Sequence, residues 1–393
     1  MTTGFRHVTP AWLALAAWLF GHGEASAIET AAKQALVIDY QTGSVLFEKG
    51  ADDQIQPASM TKLMTLYVLF DQLKQGKVSL TDEFTVSENA WSRGVDAESN
   101  MFVDLNSKVK VEDLIRGIAI QSGNDACKVI AEGIAGSEEA YVKLMNKKAQ
   151  EIGLLHTHFE NVDGLEEQGH LMTPRDIVLM AEHVYADFPE YYHYFAEKEF
   201  TYNKIKQGNR NPLLYKDLGV DGLKTGHLDV SGFGLVASAE QDGRRIFVLV
   251  DGLNSMQARS DAGTQLIEWA FQSFQNIKLA KAGDTLETAP VWYGAEDAVP
   301  LTVAKDLIAT LPKGSHDDLT AKAVFQGPIA APIAAGQPLG KLVISASGGT
   351  TEVPLVAGAA VDKVGIFGHI FATLRYWVAP PKFTAPPAAA SNG

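Results

Sequence analysis

Three separated segments carry side chains able to perform acyl transfer. Ser59 and Lys62 stand three apart in Pro57-Ala58-Ser59-Met60-Thr61-Lys62, a spacing that lays both side chains over one face of a helix. A serine hydroxyl is a weak nucleophile alone; a neutral amine beside it can take its proton. Ser122-Gly123-Asn124 sits in a break between two helical stretches. There Ser122 can relay a proton to a leaving amine, and Asn124 can hold a substrate backbone and orient Lys62. Lys224-Thr225-Gly226 falls on a strand pattern. Lys224 adds positive potential near the Ser122 hydroxyl, Thr225 can hydrogen-bond a carboxylate, and Gly226 lets the strand approach a substrate closely. The backbone N–H groups of Ser59 and His227 are the expected oxyanion donors. Several cations aimed at one point call for an anionic substrate, and a terminal carboxylate fits. A serine three residues before a lysine is common by chance. The weight comes from three segments in this order, each on the expected kind of element.

The elements that must position these residues follow from periodicity. Pro57 suits a helix opening. Met60, Leu63, Met64, Tyr67 and Val68 then recur at helical spacing, giving one apolar face, and Gly76 is the stop. Upstream, residues 35–39 and 44–48 form a hairpin through Gln41-Thr42-Gly43, and residues 83–87 suggest a strand. Helical patterns cover residues 111–121, 126–135 and 138–152, and Thr173-Pro174 caps another. The aromatics of 191–202 are packing residues. From Asp221 the period becomes that of strands: 223–227 is short, and 232–239 and 245–250 flank the turn Gln241-Asp242-Gly243-Arg244. A helix over 260–274 follows. Strands at both ends with helices between predict a mixed antiparallel sheet, the first hairpin closing against the last, with helices packed on it. After residue 276 short alternating runs at 319–325, 341–345 and 352–356 predict a small all-β domain.

The 393 residues allow two or three domains, and 46% hydrophobic with 20% charged content marks a globular chain. A net charge of -14 argues against a nucleic-acid partner. Arg6 and His7, an apolar run from Trp12 to Phe20 and Ala25-Ser26-Ala27 form a secretory signal over 1–27. Cys127 is the only cysteine, so no intrachain disulfide exists, and it is read as a small buried residue. His156, His158 and His170 lack metal-ligand spacing; neither metal nor cofactor is expected. Near the other end, Val364, Phe367, Ile370, Phe371, Leu374, Trp377 and Val378 share one arc of a helix over 361–378, flanked by Lys363 and Arg375. This suits a helix lying in a membrane interface, ahead of a Pro/Ala tail at 379–393. Signal and helix together predict export to the periplasm and attachment to the outer face of the cytoplasmic membrane.

The three segments match the set found in serine β-lactamases and penicillin-binding proteins. The chain resembles the D-alanyl-D-alanine carboxypeptidases among the low-molecular-mass penicillin-binding proteins over nearly everything after the signal. Besides Ser59/Lys62, the resemblance rests on the runs Gly219–His227, Ser122–Cys127, Gly208–Asn211 and Leu235–Ala239. It implies a transpeptidase-like (β-lactamase-like) α/β domain over 28–276 with helices on both sides of the sheet. It also implies a C-terminal β-rich domain over 277–360 and a membrane-surface helix. By the same resemblance Arg210 and His227 border the site, and Arg259, in the loop before the last helix, helps bind the substrate carboxylate. The implied reaction removes the terminal D-alanine from peptidoglycan stem pentapeptides through an acyl-enzyme on Ser59, with β-lactams trapping the same serine. A β-lactamase would need a carboxylate aimed at a water; Glu166 and Glu167 lie in the right interval without the usual surroundings. A D,D-endopeptidase would use the same residues. A silent wall-binding protein would be expected to carry a damaged motif, and all three are intact.

Overall fold

A computed structural model of the chain describes residues 28–91, 99–315, 319–346 and 349–365. The signal segment 1–27 lies outside these residues. The chain divides between Ser273 and Phe274 into two compact units.

In chain order the first unit holds β1 (Gln34–Asp39), β2 (Val45–Lys49), a single 3-10 turn (Ala58–Thr61), α1 (Lys62–Lys74), β3 (Glu83–Thr85), α2 (Glu88–Trp91) and β4 (Lys108–Lys110). Then come α3 (Val111–Gln121), α4 (Asn124–Ala135), α5 (Glu138–Glu151), α6 (Pro174–Asp187), β5 (Glu199–Tyr202) and β6 (Ile205–Gly208). The unit ends with β7 (Val220–Leu228), β8 (Gly232–Gln241), β9 (Arg244–Leu253) and α7 (Met256–Ser273).

The expected sheet is present. Five antiparallel strands run in the order β2-β1-β9-β8-β7, so the first hairpin closes against the last and β7 is an edge. Asp242 and Gly243, at φ +51° and +76°, make the turn between β8 and β9, the mirror-image turn that matches strand twist. Strand alternation sorts the side chains into two cores. Leu36, Ile38, Val236, Phe247 and Leu249 point into the core made with α1 and its neighbours. Val37, Leu235, Ala237, Val248 and Val250 point to the opposite core, with Leu266 and Ile267 of α7. Covered on both faces, β9 is apolar without interruption from Ile246 to Val250. The buried Asp39–Arg244 ion pair, at 2.7 Å, ties β1 to β9.

Four local differences from the sequence reading have physical causes. The Ser59 segment is a 3-10 turn that becomes helical only at Lys62. Helix α1 is buried on almost every side rather than along one face, because α3, α4, α5 and α6 all pack on it. Helix α7 begins at Met256, four residues before the expected start, because the Ser255 hydroxyl caps it by accepting from the Ala258 N–H at 3.0 Å. The aromatic stretch hides a hairpin, β5–β6, turned at Asn203 and Lys204 with φ +46° and +65°.

The second unit is all β, as expected. It holds β10 (Phe274–Ala280), β11 (Thr285–Trp292), β12 (Ala298–Thr302), β13 (Leu307–Pro312), β14 (Thr320–Phe325), β15 (Ile329–Ala330), β16 (Pro338–Ala346) and β17 (Gly349–Ala357). Strands β10 and β13 pair alone; the others form a sheet in the order β14-β16-β17-β12-β11-β15. Its core gathers Ala289, Val299, Leu301, Leu342 and Leu355. The segment expected to begin a helix at residue 361 starts as extended chain: Val361 is buried and pairs with Ile333, and Lys363 pairs with Gly294. The rest of that stretch, 366–378, lies outside the described residues. No helix among the described residues is long and apolar enough to cross a membrane.

Candidate active site

The site is built at the point where the 3-10 turn meets the edge strand. Ala58 is held at φ +50°, a left-handed conformation disfavoured for any residue with a Cβ. It delivers Ser59, half buried, to the start of α1. One turn on, Lys62 is fully buried, and its Nζ donates to Ser59 Oγ at 2.8 Å and to the Asp163 carbonyl at 2.5 Å. The amine is therefore gripped from two sides and aimed at the hydroxyl.

The second grip comes from the loop at 161–165, which holds none of the three motifs. Asn161 Oδ1 accepts from the Gly164 N–H at 2.7 Å, and Asp163 Oδ1 accepts from the Leu165 N–H at 3.2 Å. Thr65 Oγ1 donates to the Val162 carbonyl at 2.6 Å. Gly164 has φ +81°, and a Cβ there would stand 1.9 Å from the Ala58 carbonyl oxygen. Only glycine lets the loop lie this close beneath the nucleophile turn. A backbone carbonyl has no signature in residue types, so this partner of Lys62 could not be read in advance.

The middle segment ends α3. Ser122 sits at φ +66°, where glycine is usual, with its N–H bonded to the Ile118 carbonyl and the Gly123 N–H bonded to that of Gly117. The buried Asp125 carboxylate pins this corner, accepting from the N–H groups of Met101, Phe102 and Val103 at 2.9, 3.0 and 3.2 Å. Ser122 Oγ and Asn124 Oδ1 are buried and have no hydrogen-bond partner among the described residues. Buried polar atoms are normally satisfied, and both of these can bond a molecule that enters beside them.

Strand β7 supplies the third side. Lys224 is buried, and its Nζ donates to the Thr225 carbonyl at 3.3 Å. Burial pushes its pKa well below the usual lysine value, and the charges of Lys62, Arg210 and Arg259 push it further the same way. Thr225 is buried. A Cβ on Gly226 would lie 3.0 Å from both the Ala58 side chain and the Pro57 carbonyl, so the strand touches the nucleophile turn. Arg259 lies in the first turns of α7, not in a loop. It is buried, with Nη1 3.4 Å from the Gly226 carbonyl and 3.5 Å from that of Gly234. Burial, and then the charge of Arg210, pull its pKa down to about 10. Arg210 donates to Ser99 Oγ at 2.9 Å, while its N–H holds the Ile120 carbonyl at the end of α3. His227 is exposed and stacks on Phe233 with ring centres 3.9 Å apart.

Contacts and charges thus link Ser59, Lys62, Lys224, Gly226, Arg210 and Arg259; Ser122 and Asn124 stand at the corner after α3. Cys127 is fully buried, and burial pushes its thiol pKa up, which makes it inert. Glu166 and Glu167 lie on the exposed side of their loop, and Glu167 Oε2 is 3.3 Å from Asn161 Nδ2.

A hydroxyl bonded to a buried amine, with cations and a glycine-edged strand next to it, can carry out acyl transfer through serine. The family model of D-alanyl-D-alanine carboxypeptidases matches residues 22–254, and that of the C-terminal domain of penicillin-binding protein 5 matches residues 274–363. D-alanyl-D-alanine carboxypeptidase DacA of Escherichia coli K12 is 39% identical over 345 residues, covering 86% of each chain. The crystal structure of penicillin binding protein 5 from Haemophilus influenzae superposes with a TM-score of 0.81 at 37% identity, covering 86% of this chain and 99% of that one. Penicillin-binding protein D2 of Listeria monocytogenes, solved with ampicillin bound, matches 62% of this chain and 99% of its own at 25% identity and a TM-score of 0.55. The chain belongs to the D-alanyl-D-alanine carboxypeptidase family. Its activity is that of a serine-type D-Ala-D-Ala carboxypeptidase, in preference to a β-lactamase or a D,D-endopeptidase.

Proposed function

We propose that Ser59 is the nucleophile and Lys62 its general base, acting on peptidoglycan stem peptides that end in D-alanyl-D-alanine. The observation that carries this reading is the clamp on Lys62, whose amine is held between Ser59 Oγ and the Asp163 carbonyl. Neutral Lys62 takes the hydroxyl proton as Ser59 Oγ bonds to the penultimate carbonyl carbon. The oxyanion that develops is met by the N–H groups of Ser59 and His227. When the tetrahedral adduct collapses, the peptide bond breaks, Ser122 passes a proton to the departing amine of D-alanine and takes in turn the proton held by Lys62, which is neutral again. Water then attacks the ester, losing its proton to the Lys62 amine, and Ser59 regains its own. Asn124 accepts a substrate N–H through its vacant Oδ1, and β7, as an edge strand, offers backbone groups to an extended peptide. Lys224, Thr225, Arg210 and Arg259 hold the terminal carboxylate.

β-Lactams carry the same acyl bond and anionic group, so Ser59 is their expected point of attachment; the ampicillin complex of the Listeria protein supports this. The deciding experiment is mass spectrometry after incubation with labelled penicillin. The wild-type chain gains one adduct on the peptide containing Ser59, and Ser59→Ala gains none. A covalent adduct on the Ser59→Ala chain would end the assignment.

We infer further that the chain is exported by its first 27 residues and held at the outer face of the cytoplasmic membrane by residues 366–378. Support comes from the amphipathic pattern of that stretch.

A further inference from the structure

We propose that His170 is a positioning residue for Lys62: its imidazole fastens the loop that carries the Asp163 carbonyl to the turn that carries Ser59. His170 is buried, only 1% exposed, and meets Phe159 edge to face at 5.6 Å. Its Nδ1 accepts from the Glu160 N–H at 3.2 Å. The ring proton is thereby assigned to Nε2, which donates to Thr61 Oγ1 at 2.8 Å. The backbone N–H of His170 in turn bonds the Glu167 carbonyl at 3.2 Å. The ring therefore ties the start of the loop to the residue immediately before Lys62, and the backbone of His170 closes the loop's last turn.

The Asp163 carbonyl that accepts from the Lys62 amine lies between those anchor points, with Asn161 and Gly164 shaping the loop around it. The carbonyl of Asp163 stays 2.5 Å from Lys62 Nζ only while this loop is pressed against Ala58 and Thr61, where a Cβ on Gly164 would collide. A neutral ring is required, because a protonated one would aim an N–H at the Glu160 N–H. Burial keeps it neutral, its pKa lying at about 4. Hydroxyl, imidazole, loop and carbonyl form a closed ring of contacts around a base that must be aimed within a fraction of an ångström.

The readout, acylation, rests on the Ser59 chemistry proposed above; a wild-type chain that labels on Ser59 establishes that chemistry before His170 is tested. The second-order rate of acylation by a fluorescent penicillin is measured for wild type, His170→Leu, His170→Gln and Thr61→Val, with thermal melting alongside. His170→Leu should slow acylation about 100-fold. His170→Gln, which supplies one acceptor and one donor on a planar amide, should recover at least tenfold of that loss. Thr61→Val cuts the same bond from the other side without changing side-chain shape, and should slow acylation in the same direction. A His170→Leu or Thr61→Val chain that melts lower yet acylates at the wild-type rate would reduce His170 to a packing residue. A Gln variant no faster than Leu, at equal melting temperature, would do the same.

Discussion

Lys224 pulls stability and reactivity in opposite directions. It is an amine buried near three other cations, and it donates to the Thr225 carbonyl at 3.3 Å. Its pKa is depressed in the folded chain, so the folded state releases that proton more readily than the unfolded chain does. The linked stability therefore rises as pH climbs toward the ordinary lysine value, and is lost as pH falls toward the folded one. Lys224→Met removes the buried charge. We expect its melting temperature at neutral pH to rise, by about 2–4 °C per kcal/mol relieved in a domain of this size. Acylation by penicillin should fall by about 10²-fold or more. Calorimetry and stopped-flow labelling of the same preparation measure both. His170 has the same sign for the same cause. With a folded pKa of about 4 against an ordinary 6.5, it contributes stability that is complete above pH 6.5 and is lost progressively down to about pH 4. Urea titrations across that window should show a loss of roughly 3 kcal/mol, a slope that His170→Gln flattens.

At the scale of elements, the site depends on close approaches between pieces with no room to spare. Gly164→Ala combines a left-handed backbone with a Cβ driven into the Ala58 carbonyl. It should cost about 2 kcal/mol or more of stability and, by lifting the loop off the turn, slow acylation about 100-fold. Denaturant melts and labelling rates test the two halves separately. This is also where the sequence was least legible. The Ser59–Lys62 spacing, the helix break at Ser122 and the strand carrying Lys224 were readable, because periodicity and turn chemistry are local. The loop at 161–165 was not, because what it contributes is a main-chain oxygen and an absence of side chain. Arg259 lies in a helix rather than a loop because Ser255, a short polar residue, caps α7 about one turn ahead of the expected start. The β5–β6 hairpin was masked by aromatics that serve packing. The left-handed Ala58 and Ser122 have no residue-type signal at all, since glycine or asparagine is the usual occupant of such backbone.

At the scale of the whole molecule, two units of different character share one chain, and the membrane reading concerns the end of the second. A chain stopped after Gly365 should acylate with penicillin at the full-length rate and fail to co-sediment with vesicles rich in anionic lipid, which the full-length mature chain should do. Equal sedimentation of both would remove residues 366–378 from any anchoring role. The order of strands in the first unit has a consequence in time. Gln34 pairs with Asp251, and Asp39 with Arg244, 205 residues further on, so the sheet's second strand waits for its last partner. Ribosomes add about 5–20 residues per second, so the nucleophile would be translated roughly 10–40 s before β9 is available to close the sheet behind it. A nascent chain halted at residue 240 already contains every residue of all three motifs, and it should take up no penicillin. The protein is born inert and becomes an electrophile's target only when its catalytic unit is complete.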